Sequence, residues 1–186
     1  ESVWPSTRTG TFGQARSPSA AASRTTWLDG VSTLHVPMYS LVIDPLSSTT
    51  RQVVGWAHDR GVAVSVDVSS VALIERLGAS AVMSMLDALR PSVVLANEIE
   101  AGALDLHGML GDAVTVVKRG PDPAFVFDAD GRRGVPTTPV ERGADTTGAG
   151  DAFAAGFLTA DWRRDPVDAC RSGHDAAAAL LRGHRR

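Results

Sequence analysis

The sequence predicts an α/β fold in which a mainly parallel sheet is flanked by helices. Three observations carry this reading. From Trp27 onward, short runs rich in β-branched residues alternate with stretches of helical spacing, the order that right-handed βαβ units produce. The run Ala113-Val114-Thr115-Val116-Val117-Lys118 has the composition of a buried strand. Asp67, Asn97 and Gly120 each fall at the carboxyl end of such a run, and that is where open α/β sheets hold their ligands.

Taken in order, residues 1–26 are dense in Ser, Thr, Ala, Gly and Arg and predict an irregular segment; one domain follows over 27–186. Thr33 to Pro37 predicts a short strand. Ser47 to Arg60 predicts a helix through Val53, Val54 and Ala57 after a Ser/Thr start. Gly61 to Asp67 is a β-branched strand ending in an acid. Helical pieces follow at 70–77 and 79–90, the second with an apolar face of Val82, Met83, Met85, Leu86 and Leu89. Ser92 to Ala96 is a strand and Glu98 to Leu106 a helix. After the strand at 113–118, Ala124 to Phe127, a turn at Asp130-Gly131, and Gly134-Val135 predict an antiparallel hairpin. Helices from about Ala149 and from about Pro166 close the chain.

With 186 residues, 44% hydrophobic and 21% charged, the chain can bury one sizeable core. A net charge of −3 and a pI near 5.9 supply no general field for nucleic acid or membrane. The lone cysteine, Cys170, excludes an internal disulfide and fits a reducing compartment; within a helix it reads as a small buried hydrophobe. No apolar run approaches the ~18 residues of a membrane span, so the expected location is the cytoplasm. The five histidines show no metal-ligand spacing, and a zinc site is not expected. Because the chain opens at Glu1 rather than methionine, a fragment or N-terminally truncated product is expected.

One segment demands chemistry: Asp145-Thr146-Thr147-Gly148-Ala149-Gly150-Asp151, running into Ala152-Phe153-Ala154-Ala155-Gly156-Phe157. Each glycine in the opening turn of a helix costs about 1 kcal/mol relative to alanine. Their benefit is access, because the unpaired N–H groups and the dipole of a helix start favour an anion, and glycine lets it approach the backbone. A carboxylate beside a bound phosphate is repulsive unless it takes a proton, which makes Asp151 a candidate general base for an attacking hydroxyl. The plain structural alternative is a first-turn acid with Thr147 as N-cap. No Gly-x-x-x-x-Gly-Lys-Ser/Thr occurs, and a dinucleotide fingerprint would need glycine where Phe153 stands.

This segment resembles the C-terminal signature of the ribokinase-like (PfkB) carbohydrate kinases. The resemblance implies ATP-dependent phosphorylation of a hydroxyl on a sugar or nucleoside-like substrate. Asp151 is then the catalytic base, and Gly148, Ala149 and Gly150 form an anion hole for the moving phosphoryl group. It implies that Asn97-Glu98-Ile99-Glu100 is the family's Asn-x-x-Glu motif, with Asn97 and Glu100 organising Mg²⁺ and phosphates, although the same letters spell a capping box. Asp145 and Thr147 would lie near a monovalent-cation site such as one for K⁺. Lys118-Arg119-Gly120 resembles the strand end lining the nucleotide site, Asp67 a strand-end acid near the phosphates, and His174 a helix position beside the adenine.

Four departures stand out. Pro121-Asp122-Pro123 replaces the usual polar turn and glycine of the nucleotide loop, and Glu141-Arg142-Gly143-Ala144 replaces a β-branched lead into the signature. Pro37-Met38-Tyr39 stands where relatives commonly place glycine, and the family's sugar-binding Gly-Gly region has no counterpart. The resemblance therefore covers about residues 27 to 182. A non-catalytic, nucleotide-binding remnant is the alternative function, and oligomeric state is left open.

Overall fold

The computed structural model describes residues 26–140 and 146–183. The irregular segment expected over residues 1–26 lies outside these except for Thr26, as does the lead Glu141 to Ala144. The described residues form a six-stranded sheet in sequential order: β1 (Thr33–Pro37), β2 (Ala63–Asp67), β3 (Val93–Asn97), β4 (Val114–Arg119), β5 (Asp122–Asp128) and β6 (Gly131–Val135). The first four strands are parallel, and β5 and β6 complete an antiparallel meander. Between them run α1 (Leu46–Asp59), α2 (Val71–Leu77), α3 (Ala79–Leu89) and α4 (Glu98–Ala103), with α5 (Ala149–Thr159) and α6 (Pro166–Gly183) at the end.

Strand parity sorts the core into two layers, because successive side chains point to opposite faces. Val64, Val66, Val94, Ala96 and Val117 meet Val54, Leu73, Ile74, Val82, Leu86 and Ala101 from α1 to α4. Ala63, Val93, Leu95, Val116 and Val126 meet Phe153, Phe157, Ala169 and Cys170 from α5 and α6. Burial on both faces is what makes the parallel strands read as unbroken apolar runs. Cys170 is fully buried, and burial pushes its thiol up to about 12, so it is a packing residue.

Local chemistry sets the boundaries. Ser70 caps α2 by accepting the Leu73 N–H at 3.2 Å, and Gly78 at φ +87° breaks the chain between α2 and α3. The helix expected to reach Leu106 ends at Ala103. Asp105 takes φ +54°, and the Leu106 N–H returns to the Ala101 carbonyl at 2.8 Å, a turn that buries both Leu104 and Leu106. At Pro121-Asp122-Pro123 β4 turns directly into β5: Arg119 pairs Asp122, Gly120 sits at φ +58°, and the register shifts between Val117 and Arg119. The helix pieces 70–77 and 79–90 and the strands β1 to β5 otherwise fall within a residue or two of their expected limits, while β6 begins at Gly131, three residues ahead of the expected Gly134.

After β6 the chain is pinned as it travels toward the glycine-rich segment. Thr137 Oγ1 donates to the Pro121 carbonyl at 2.7 Å, Thr138 Oγ1 to Asp175 at 2.6 Å, and Arg182 to the Pro139 carbonyl at 2.9 Å. The helix that follows, α5, crosses α6 at very close range. A Cβ added to Gly156 would lie 2.5 Å from the Ser172 carbonyl oxygen and 2.7 Å from the Ala176 Cβ, and one added to Gly173 would lie 2.9 Å from the Phe153 ring.

Two glycine substitutions should therefore act with opposite sign. Gly156→Ala gains about 1 kcal/mol of helix propensity, yet it forces backbone apart at a cost of about 1 to 3 kcal/mol or more, and is expected to lower stability in denaturant titration. Gly55→Ala, in α1 with open space around it, is expected to raise stability by about 0.5 to 1 kcal/mol.

Candidate active site

The carboxyl ends of β2, β3 and β4 bring Asp67, Asn97 and Lys118 to one end of the sheet. Lys118 sits on β4 and Asp67 on β2, so the lysine stem crosses β3, two strand spacings or roughly 9 to 10 Å. Its ammonium donates to Asp67 Oδ2 at 2.7 Å, and both side chains are largely enclosed, 16% and 13% exposed. Asp67 is itself fixed, its Oδ1 accepting the Ser69 N–H at 3.0 Å while Ser69 adopts φ +63°. The acid at the strand end is thus a holder for a cation.

Asn97 and Glu100 form a complete capping box at the start of α4. Asn97 Oδ1 accepts the Glu100 N–H and Glu100 Oε2 accepts the Asn97 N–H, each at 2.8 Å. Glu100 is only 4% exposed. Burial raises its pKa, against the lowering effect of the Asn97 amide; Asp67 raises it further and Lys118 lowers it. A buried carboxylate beside a second carboxylate is an oxygen-rich, electron-rich spot with one oxygen, Oε1, outside the capping box. That donor set suits a hard cation. Among the described residues no three His, Cys, Asp or Glu side chains form a metal-binding group.

The glycine-rich segment meets this cluster from the other side. Gly148, at φ +78°, is the N-cap of α5, in place of the Thr147 cap of the structural alternative. The first rung of the helix is the Ala152 N–H to the Gly148 carbonyl at 2.9 Å. The amides of Gly150 and Asp151 precede that rung and are the orphan donors of a helix start. Ala149 departs from the expected three-amide hole, since its N–H closes a turn onto the Thr146 carbonyl at 3.1 Å. A Cβ on Gly150 would stand 3.7 Å from the Lys118 ammonium, which ties the helix start to the strand ends. Asp151 lies exposed in the first turn.

The structure adds His35, which the sequence did not single out. Its Nδ1 lies 3.2 Å from Ser65 Oγ. Burial lowers its pKa, Asp67 and Asp151 act to raise it and Lys118 to lower it, so the ring shares the field of both the strand ends and the helix start. No sequence signal marks it, because its neighbours come from β2, β4 and α5.

Other expected residues fall elsewhere. Gly120 lies in the β4–β5 turn, and Thr147 is exposed before the helix. Asp145, and with it half of the expected monovalent-cation pair, lies outside the described residues. His174 is 8% exposed, stands edge-on to Phe153 with ring centroids 5.2 Å apart, and its Nε2 has no partner among the described residues. Its ring packs between α5 and α6, on the helix position expected to lie beside the adenine. A cavity of about 380 Å³, lined by Val114, Asp128, Arg133, Trp162 and Asp165, lies at the opposite end of the strands and shares no residue with this cluster.

A pH dependence follows from two imidazoles, His35 half-buried and His174 buried. Burial depresses both His35 and His174 below the ordinary 6.5. The unfolded chain therefore takes up protons first as pH falls through about 6.5, and stability falls with it. Thermal unfolding is expected to move to lower temperature from pH 7.5 to 5.5, and His174→Gln is expected to flatten that slope.

Comparison with known proteins agrees with this geometry. Residues 71–185 match the pfkB family carbohydrate kinase model. An ATP-dependent ribose-1-phosphate kinase of Halopiger xanaduensis is 35% identical over 156 residues, 80% of this chain and 48% of that protein. A cytidine kinase of Thermococcus kodakarensis is 37% identical over 90 residues, 47% of this chain and 32% of that protein. The chain thus spans at most about half the length of these curated relatives. In fold it resembles the crystal structure of adenosine kinase from Sinorhizobium meliloti, with a TM-score of 0.70 at 23% identity over 81% of this chain and 49% of that one. With its signature helix set over the ends of a ribokinase-type sheet, the chain belongs to the pfkB family of carbohydrate kinases.

Proposed function

We propose that this chain carries the phosphoryl-transfer centre of an ATP-dependent kinase acting on a hydroxyl of a sugar or nucleoside. The supporting observation is the approach of the Gly150 backbone to the Lys118 ammonium, which sets an acid, a helix start and a buried cation around one space. Relatives named as kinases of ribose 1-phosphate and cytidine supply the substrate class.

In this reading the Asp151 carboxylate accepts the proton of the substrate hydroxyl. The hydroxyl oxygen forms a bond to the terminal phosphorus of ATP, the bond from that phosphorus to its bridging oxygen breaks, and ADP leaves with the bonding pair. The amides of Gly150 and Asp151, aligned with the α5 dipole, stabilise charge on the moving group without reorganising. Magnesium would be held by Glu100, with Asn97 contributing through water, and would supply charge neutralisation on the β- and γ-phosphate oxygens.

Titration calorimetry with Mg-ATP and an ADP-release assay over a panel of pentoses and nucleosides test the proposal together. Asp151→Asn is expected to keep ATP affinity within a few fold and to lower turnover by about 10² to 10⁴. Turnover at the unsubstituted rate would refute the base assignment, and ATP binding without transfer to any acceptor would favour the remnant.

Glu100 gives a separate check. Glu100→Gln preserves the capping box and is expected to hold stability while weakening the magnesium dependence of nucleotide binding. Glu100→Ala leaves the Asn97 amide unpaired and is expected to destabilise by about 1 to 3 kcal/mol.

A further inference from the structure

Of the 18 lysine and arginine residues in the sequence, Lys118 is the only lysine; all the others are arginine. The chain therefore uses guanidinium wherever it needs positive charge, except at this one place. The two groups differ physically. A guanidinium is a wide planar fork, whereas an ammonium is a compact point charge with three donors that can rotate.

The surroundings of Lys118 suit the compact form. Its one hydrogen-bond partner among the described residues is Asp67 Oδ2, at 2.7 Å. The Gly150 backbone lies over the ammonium, and even a methyl there would come within 3.7 Å. Asp67 and Glu100 act on the same site, and Asp151 opens the helix above it. The neighbouring guanidinium, Arg119, is turned away to Glu98 at 2.8 Å and to the Phe125 ring. A polyphosphate entering this end meets carboxylates, and the ammonium offers it two further hydrogens.

We propose that Lys118 is the cation that receives the terminal phosphate of the nucleotide, held on Asp67 until that phosphate arrives. This rests on the kinase reading above and deepens it. Asp67 serves as a resting counter-ion: it keeps the ammonium aimed and desolvated, and it is exchanged, or shared, when a phosphate oxygen takes its place. The site then distinguishes ATP from ADP by one charge-assisted hydrogen bond at the γ-position.

Because there is one lysine, growth on ¹³C-lysine gives a single Cε resonance that reports this side chain alone. Mg-ATP is expected to move that resonance, and Mg-ADP to move it much less. Calorimetry on Lys118→Met is expected to show ATP affinity lowered about 10- to 100-fold, the worth of one charge-assisted bond, with ADP affinity changed by less than about 3-fold. Asp67→Asn should shift the free-state resonance while keeping the response to ATP. If ATP binds without moving the resonance, or Lys118→Met leaves the ratio of ATP to ADP affinity unchanged, the lysine is a structural partner of Asp67 and the inference falls while the kinase reading stands. If neither nucleotide binds, the kinase reading fails and takes this inference with it.

Discussion

The close crossing of α5 and α6 governs the rest of this molecule. Gly156 lies so near the Ser172 carbonyl and Gly173 so near the Phe153 ring that the two helices act as one rigid unit. That unit seats Phe153 and Phe157 on Leu95, Val116 and Val126. Its depth on the sheet fixes where α5 begins, and hence where Gly148, Gly150 and Asp151 stand relative to the ends of β2, β3 and β4. The glycines of this helix therefore serve two ends. Gly156 admits a neighbouring backbone, and in the proposed kinase reading the two at the start admit a ligand.

Charge is concentrated at that end of the sheet. Two enclosed carboxylates, Asp67 and Glu100, share one ammonium, and Asp151 projects nearby. Burying such groups costs several kcal/mol unless each finds hydrogen-bond partners. The structure supplies them locally: Ser69 to Asp67, the Asn97 amide to Glu100, and Lys118 across β3. Burial first, and then the Asp67 charge, raises the pKa of Glu100, in the direction a divalent cation would reverse.

Much of the fold was legible because it depends on short-range patterns. Apolar runs of five or six residues marked the strands, and Ser70 and Gly78 marked the ends of α2. The limits of α4 were not legible, since its last turn unwinds to bury Leu104 and Leu106, a demand made by the core rather than by helix propensity. The β4–β5 connection was not legible either: two prolines flank Asp122, and its pairing with Arg119 closes a tight turn around Gly120.

The site divides along the same line. By itself, the sequence determined the helix start with its two glycines and its acid, and the reciprocal cap of Asn97 and Glu100, because both are written within four residues of one another. Only the tertiary structure decided that Asp67 and Lys118, 51 positions apart, form one ion pair beneath Gly150, and that the His174 ring turns into the helix pair. The physical reason is register: side-chain partners across strands depend on how the sheet aligns and how deep α5 settles on it, and neither quantity is encoded in local spacing.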